Sequence, residues 1–436
     1  MRALSPREAL LRVAAICAAF FACDAPARAG ITVRADSAEA AIHASDIEGG
    51  RSALWRNHDG DPARQGLAAT IEAGAAARAG SHAGFALRPR LSLAGGDARA
   101  TWLEALLTLQ AGGAHLDLGR TRLWLGPARY GSLLLSNNAH PLDLVHAHGG
   151  GSTANTLPLL RALRGVRGGA AVAWLRERDR DYPNPNLGVL YVVSEWSDWL
   201  QIDLHRTMMF GGEGRGFRVS WESLADLLFA RGSENSTDPD ENLSDQLAAI
   251  AFVVRPDLFL ARWIDGARID DGGVRAFYEY AGDDNLDDWI PQNPGIATGL
   301  TVWRGEWEVH AELAVNRKDT APWYEHSIYR TGYRYRGVIL GHHMGSDAND
   351  ATLALAAPLP RGRRLRALAD RRGALFTERE QPATEWSVAA SAENLWTRGR
   401  AALAADILLR WGNDWPTARL GAIERRRVSL RWTWTP

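Results

Sequence analysis

The chain ends Val428-Ser429-Leu430-Arg431-Trp432-Thr433-Trp434-Thr435-Pro436. Large apolar side chains at 428, 430, 432 and 434 alternate with Ser429, Arg431 and Thr433. A strand turns successive side chains to opposite faces, so this last strand has one greasy, aromatic face and one polar face. That is the pattern of a strand in a membrane barrel, with hydrocarbon outside and water within. The alternation recurs along the chain. It runs through Phe85 to Leu93 and through Leu200-Gln201-Ile202-Asp203-Leu204-His205. From Trp307 to Asn316, the residues Trp307, Val309, Ala311, Leu313 and Val315 face one way, and Glu308, His310, Glu312 and Asn316 the other. Leu403, Ala405, Ile407, Leu409 and Trp411 make a further stripe, with Asp406 and Arg410 opposite. Charges this frequent on the polar face suit a hydrated lumen better than the core of a soluble sandwich.

The N-terminal end reads as an export signal. Arg2, Arg7 and Arg12 precede an apolar run from Val13 to Ala22, and Ala27-Arg28-Ala29 follows. A positive region, a short apolar run and an A-x-A site describe a secretory signal peptide over residues 1–29, with the mature chain starting near Gly30. Lipidation at Cys23 is the rival, but Phe20-Phe21-Ala22 fits a lipobox poorly. Both cysteines, Cys17 and Cys23, fall inside this leader, so the exported protein has to hold together without disulfides. A closed sheet does so, because every strand satisfies its neighbours.

After residue 22 no apolar stretch is long enough for a membrane-spanning helix, so a membrane location means a barrel. The 18 tryptophans suit the two aromatic girdles of such a barrel. The formal net charge of −1 speaks against nucleic acid as a partner. Roughly 400 residues after the leader, cut into strands of about 10 with their turns and loops, give roughly 16–18 strands. Residues 30–80, rich in Ala, Gly and Asp, read as a short N-terminal periplasmic or plug segment, and 81–436 as the barrel. The expected fold class is thus all-β, a large transmembrane antiparallel β-barrel. Gly211-Gly212-Glu213-Gly214-Arg215-Gly216 reads as a flexible loop, since no Lys-Ser/Thr pair follows it. Glu222 to Arg231 reads as a short helix in a long loop or in the lumen.

Two blocks carry a family resemblance. One is Gly119-Arg120-Thr121-Arg122-Leu123-Trp124-Leu125-Gly126-Pro127, continuing to Gly131-Ser132-Leu133-Leu134-Leu135-Ser136-Asn137-Asn138-Ala139. The other runs from Trp323-Tyr324-Glu325-His326 through Tyr329-Arg330-Thr331-Gly332-Tyr333-Arg334-Tyr335-Arg336-Gly337 and Leu340-Gly341-His342 to Gly345-Ser346-Asp347. Between them lie Arg206-Thr207, Phe210-Gly211-Gly212 and Tyr278-Glu279-Tyr280 in order. Over residues 85–434 the chain resembles the Wzi family of capsule-assembly outer-membrane proteins. The resemblance implies a barrel of about 18 strands that binds exported capsular polysaccharide or exopolysaccharide without catalysing a reaction, set among outer-membrane lipid and lipopolysaccharide. It also implies a helical N-terminal plug, which residues 30–80 do not match in pattern.

A sugar-binding surface needs aromatic rings and planar polar groups. Tyr324, Glu325, His326, Tyr329, Arg336, Asp347 and, in an acidic loop, Asp284 and Trp289 are the candidate contacts. Arg120, Trp124, Asn137, Asn138, Arg206, Glu279, Tyr280, Tyr333 and His342 are read as lining or bracing the barrel. As an extended stretch, Tyr329, Thr331, Tyr333 and Tyr335 would share a lipid-side girdle, with Arg330, Arg334 and Arg336 facing the lumen. The acidic loop 283–289 lacks EF-hand spacing. His140, His146, His148, His326, His342 and His343 lack tight ligand spacing with Cys or carboxylate partners, so no metal or other cofactor is expected. Two rivals remain. One is a diffusion or export porin. The other is a periplasmic all-β hydrolase using carboxylates such as Glu279, Asp283 and Glu325.

Overall fold

The structure is a computed structural model, and it describes residues 31–48, 52–54, 56–151, 163–215, 244–267, 269–283, 294–316, 323–374, 384–398, 401–413 and 423–434. The proposed leader, Gly216, the segment 222–231, Asp284 and Trp289 lie outside the described residues. Among those described, 18 strands form one antiparallel sheet. They are β1 (Ile31–Glu48), β2 (Gly66–Ala79), β3 (Ala83–Ala94), β4 (Asp97–Ala111), β5 (Ala114–Thr121), β6 (Leu142–Gly151), β7 (Gly165–Trp174), β8 (Asn186–Glu195) and β9 (Leu200–Phe210). The remainder are β10 (Ser244–Val254), β11 (Gly272–Asp283), β12 (Pro294–Arg304), β13 (Trp307–Asn316), β14 (Ala348–Leu359), β15 (Arg363–Ala374), β16 (Thr384–Arg398), β17 (Ala401–Asn413) and β18 (Ile423–Trp434). The sheet closes on itself: Ala38 of β1 pairs with Ala73 of β2 on one side and with Trp434 of β18 on the other.

Residues 30–80 are therefore not a separate segment. β1 and β2 are full staves, and the closing seam runs through β1. Their low β-propensity, with Ala or Gly at most positions of β2 and Ala frequent in β1, hides them in sequence. Pairing on both sides and a shared lumen supply what propensity lacks.

The two rims differ. One carries both ends of the described chain and short connections, such as those at 112–113 and 305–306. The other carries the long connections 122–141, 211–243 and 317–347. Short periplasmic turns and long extracellular loops are the rule for outer-membrane barrels, which orients the molecule. Gly95 and Gly96 make a tight turn on the outer rim (φ 58° and 88°), a two-residue hairpin that needs positive φ at both positions.

The outward face is apolar as the alternation requires. Val428 and Leu313 are each 56% exposed, with Leu430, Ile407, Leu409 and Val309 also open to the surroundings. Trp174, Trp386 and Trp411 stand near the outer rim, and Trp196, Trp307, Trp396 and Trp432 near the periplasmic rim. The opposite phase is buried: Asp203, His205, His310, Glu312 and Ser429. Tyr280 shares its phase with exposed Tyr278, while Glu279 between them is buried. Tyr280 therefore faces outward and does not line the lumen.

The second resemblance block is no stave. Residues 323–347 fold back into the lumen together with 122–141, 176–184 and 56–61. Trp323, Tyr324, Tyr329, Tyr333 and Tyr335 are almost wholly buried, and with Leu133, Leu134 and Leu135 they pack on Leu144, Ala173, Leu187, Met209, Leu247 and Phe277 of the wall. The expected lipid-side girdle of Tyr329, Thr331, Tyr333 and Tyr335 is overturned by this. A turn at Gly332 (φ 76°) breaks the extended run, and a Cβ there would lie 2.3 Å from the Tyr324 carbonyl oxygen. Arg334–Tyr335 and Val338–Ile339 then form a small hairpin. Tyrosine suits this site because its ring buries a large apolar area while its hydroxyl finds a polar partner. Tyr324 Oη donates to the Leu133 carbonyl (2.7 Å) and accepts from the His342 amide (3.0 Å).

Candidate functional site

The plug has an inner anchorage and an outer face. The anchorage is polar. Asp59 accepts from Arg122 (2.5 Å to each oxygen) and from Arg90 (3.0 Å), which also bonds Glu72 (2.6 Å). Arg56 reaches across to both Asp370 and Glu385, and Glu385 also meets Arg372 (3.1 Å) and Arg410 (3.5 Å). The Glu312 carboxylate accepts the backbone amides of Arg129 (2.9 Å) and Tyr130 (3.2 Å) and a bond from His310 Nε2 (2.9 Å). Such charges persist in a closed lumen because each is paired. Beneath this anchorage lies a cavity of about 610 Å³ whose lining includes Arg129, Arg366, Arg427, Arg431, Glu393 and Asp406.

The outer face is where 176–184, 211–215 and 323–337 meet. Arg180 is buried and acts as a clamp: its guanidinium donates to the carbonyls of Arg334 (2.5 Å) and Gly332 (2.8 Å) and meets Glu177 (3.3 Å). Glu177 in turn accepts the Arg336 amide (2.9 Å). Asp181 accepts the amides of Arg330 (2.6 Å) and Thr331 (3.3 Å) and the Thr331 hydroxyl (2.5 Å). Arg215 lies over the rings of Tyr329 (4.6 Å) and Tyr182 (5.4 Å). The loop backbone is thus fixed, and Arg176, Arg178, Asp179, Arg330 and Arg336 stand exposed on it.

The candidate contacts divide accordingly. Arg336 is exposed, in a left-handed backbone conformation (φ 52°), with its guanidinium over the Tyr335 ring at 5.2 Å. Glu325 is half-buried. Tyr324 and Tyr329 have no open ring face for a sugar. Tyr329 Oη donates to the Gly211 carbonyl (3.0 Å), and burial raises its pKa. His326 is buried, its Nδ1 accepting the amides of Ile328 and Tyr329 (both 3.2 Å), and burial followed by the Arg215 charge lowers its pKa against the pull of Asp245. Asp347 is buried at a positive φ of 50°. The three aromatic and histidine contacts are part of the plug's core and outer clamp. Sequence reasoning assigned them to a sugar-binding surface by residue type, which does not reveal the fold-back that buries them.

The bracing set is mostly internal. Arg120 chelates Asp143 (2.6 and 2.7 Å), and Trp124 Nε1 donates to the Ala128 carbonyl (3.0 Å). Asn138 donates to the Ile339 carbonyl (3.1 Å), and the Asn137 carbonyl accepts the Asp59 amide (2.8 Å). Arg206 bonds Gln246 near the outer rim. Glu279 is fully buried on the wall beside Gly126, where a Cβ would stand 3.0 Å from its carboxylate. His342 is packed so closely on Gly131 that a Cβ would lie 2.3 Å from its Nε2. Burial, then His343, lowers its pKa to about 3. Sequence reasoning passed over Arg180, Asp181 and Glu177, which carry no motif and act through backbone atoms of a distant loop.

A closed 18-stranded cylinder with an apolar belt, aromatic girdles and a plugged, charged lumen is an outer-membrane β-barrel. The family model of capsule assembly protein Wzi matches residues 48–374, and the chain belongs to that family. Among solved structures it is similar to Wzi of Escherichia coli, an outer membrane protein involved in group 1 capsule assembly and a carbohydrate-binding β-barrel. The identity there is 15%, the coverage 92% of this chain and 85% of that one, and the TM-score 0.68. It is also similar to OccK5 (OpdH) of Pseudomonas aeruginosa, with 9% identity, 93% and 98% coverage and a TM-score of 0.52. OprD of the same organism gives 7% identity, 93% and 94% coverage and a TM-score of 0.52. These likenesses establish the shared fold. No curated protein matches the chain significantly.

Proposed function

We propose that this barrel is a non-catalytic surface lectin: it binds capsular polysaccharide or exopolysaccharide on the outer face of its plug and helps to attach and assemble the polymer at the cell surface. The observation that carries the reading is the arginine-rich face held rigid by buried Arg180. Exposed Arg176, Arg178, Arg330 and Arg336 offer planar forks that pair with sugar hydroxyls and carboxylates. A fixed backbone lowers the ordering cost of binding. Membership of the Wzi family and the carbohydrate binding of the Escherichia coli relative support it. Asp284 and Trp289, which lie outside the described residues, complete the proposed contact set. Outer-membrane lipid surrounds the belt, and lipopolysaccharide meets the outer rim. The hydrolase alternative finds no support in the plug, which covers Glu279.

The test is a binding assay of the purified barrel against its host's own surface polymer. The barrel with all four arginines changed to Ala is expected to bind at least tenfold more weakly while keeping heat-modifiable gel mobility. Unchanged binding by that folded variant would move the site elsewhere. Deleting the gene is expected to release polymer into the medium without stopping its synthesis.

A further inference from the structure

We propose that Asp117, His146 and His148 form a site for one divalent transition-metal ion of the zinc and copper class, on the lumen wall near the periplasmic rim. Linear spacing hides it, because register assembles it: Asp117 of β5 pairs directly with His146 of β6, and His148 lies two residues on, on the same face. Asp117 Oδ2 is 3.0 Å from His148 Nε2 and 3.7 Å from His146 Nδ1, and the three donor atoms all lie within 4.8 Å of one another. A metal with bonds of about 2.0–2.2 Å in near-tetrahedral geometry separates its ligands by about 3.3–3.5 Å. Both Asp117–His separations are close to that, and the stacked His146 and His148 rings (centroids 4.4 Å apart, planes at 20°) have to turn toward each other to bring both nitrogens onto one ion.

The surroundings orient Asp117 and His146. Thr108 Oγ1 donates to Asp117 Oδ1 (2.6 Å) and leaves Oδ2 for the ion. Tyr191 Oη lies 3.2 Å from His146 Nε2. With the proton on Nε2 shared with that hydroxyl, the Nδ1 lone pair is directed at Asp117. His146 is only 6% exposed, yet its Nδ1 makes no hydrogen bond. This is the outer-shell pattern that holds metal-binding imidazoles. Space is reserved on the next strand: a Cβ on Gly169 would lie 2.8 Å from Tyr191 Oη and 2.9 Å from His146 Nε2. The His148 side chain, 29% exposed, borders a cavity of about 570 Å³ at the periplasmic mouth, which leaves the fourth position to water or an oxygen ligand. Two imidazoles and one carboxylate select zinc, copper(II) or nickel over calcium and magnesium. The other histidine cluster, His342, His343 and Asp350, has Arg56 and Arg372 among its neighbours, which oppose a cation.

The experiment uses the full mature barrel in detergent, free of any histidine tag and stripped with chelator. Calorimetric titration with zinc, copper(II), nickel and magnesium chlorides is expected to show one ion bound per barrel for the first three and none for magnesium. Copper(II) paramagnetic resonance is expected to show coupling to two nitrogens. His148→Ala is expected to weaken zinc at least tenfold, and H146A/H148A to abolish stoichiometric binding. Tyr191→Phe, which keeps both histidines and the packing, is expected to weaken it a few-fold. Each variant is scored only where heat-modifiable mobility shows a folded barrel. Three results overturn the proposal: no stoichiometric ion in the wild type, undiminished binding in folded H146A/H148A, or binding lost in His343→Gln but kept in that double variant.

Discussion

The two walls of the lumen hold the same plug by different physics. From β6 round to β12 the wall offers Leu144, Ala173, Leu187, Met209, Leu247, Phe277 and Ala297 to the leucines and tyrosines of the inward loops, and the join there is an apolar core. Across β15 to β18 and β1 the wall offers Asp370, Glu385, Arg410, Arg427 and Arg431. The plug touches this side mainly through Arg56, above a cavity of about 610 Å³. Dispersion and apolar burial favour contact wherever shapes fit. Paired charges favour one register and are costly in any other. The apolar wall thus supplies cohesion, and the charged wall fixes where the plug sits.

The contrast breaks most severely in the dry half. Tyr333→Ala removes a wholly buried ring and is expected to cost about 3–5 kcal/mol of plug stability. Hydrogen exchange over 323–347 and cleavage by external protease should both rise, while barrel mobility on gels persists. A protected loop in that variant would show that the core cluster does not hold the plug. On the charged side Arg56→Ala is expected to cost about 3 kcal/mol, since Glu385 keeps Arg372 and Arg410 while Asp370 loses its arginine. Release of 56–61 over the cavity should then show as conductance in planar bilayers higher than that of the wild type. No change in either would argue that the ion pairs are dispensable.

Acid sharpens the comparison next. Burial lowers the pKa of His140 and of His342 to about 3, so both are neutral in the seated plug. Out of the lumen each titrates near its ordinary value of about 6.5 and binds more protons than the seated form. The stability they contribute is complete above pH 6.5 and falls as pH drops from there toward 3. The slope is about 1.4 kcal/mol per pH unit for each histidine. Exchange of the 323–347 amides should therefore quicken between pH 7.5 and 5, after correction for intrinsic rates. A pH-independent opening free energy would contradict this. The smallest stability effect belongs to the outer face. Arg330→Ala is expected to change stability by no more than about 0.5 kcal/mol, while polymer binding weakens a few-fold and becomes less sensitive to salt.

Legibility followed the same divide. The β13, β17 and β18 stripes were readable because every side chain there answers to one rule, lipid or lumen, with period two. β1 and β2 were not, since alanine and glycine carry little contrast between the two faces. Tyr329 and Tyr333 were placed on a face by a period-two reading, and Tyr324 among sugar contacts by residue type, although Gly332 was the visible sign of a turn. Arg336 alone among the tyrosine-block contacts stands on the outer face as a sugar contact requires. His146 and His148 were noticed singly, but their partner Asp117 comes from another strand, through a pairing register that spacing does not encode.

What the chain's own residue order settled was the class of solvent on each side of each stave, because alternation answers directly to hydrocarbon and water. It did not settle what fills the cylinder. Loops obey no period, and whether an aromatic run lies on the outside or folds inward depends on contacts made across some 200 residues, such as Tyr324 with Leu133. Only closure of the sheet, which brings those distant segments within a few ångströms and excludes water between them, decided that this barrel is plugged by its own tyrosines and presents arginine outward.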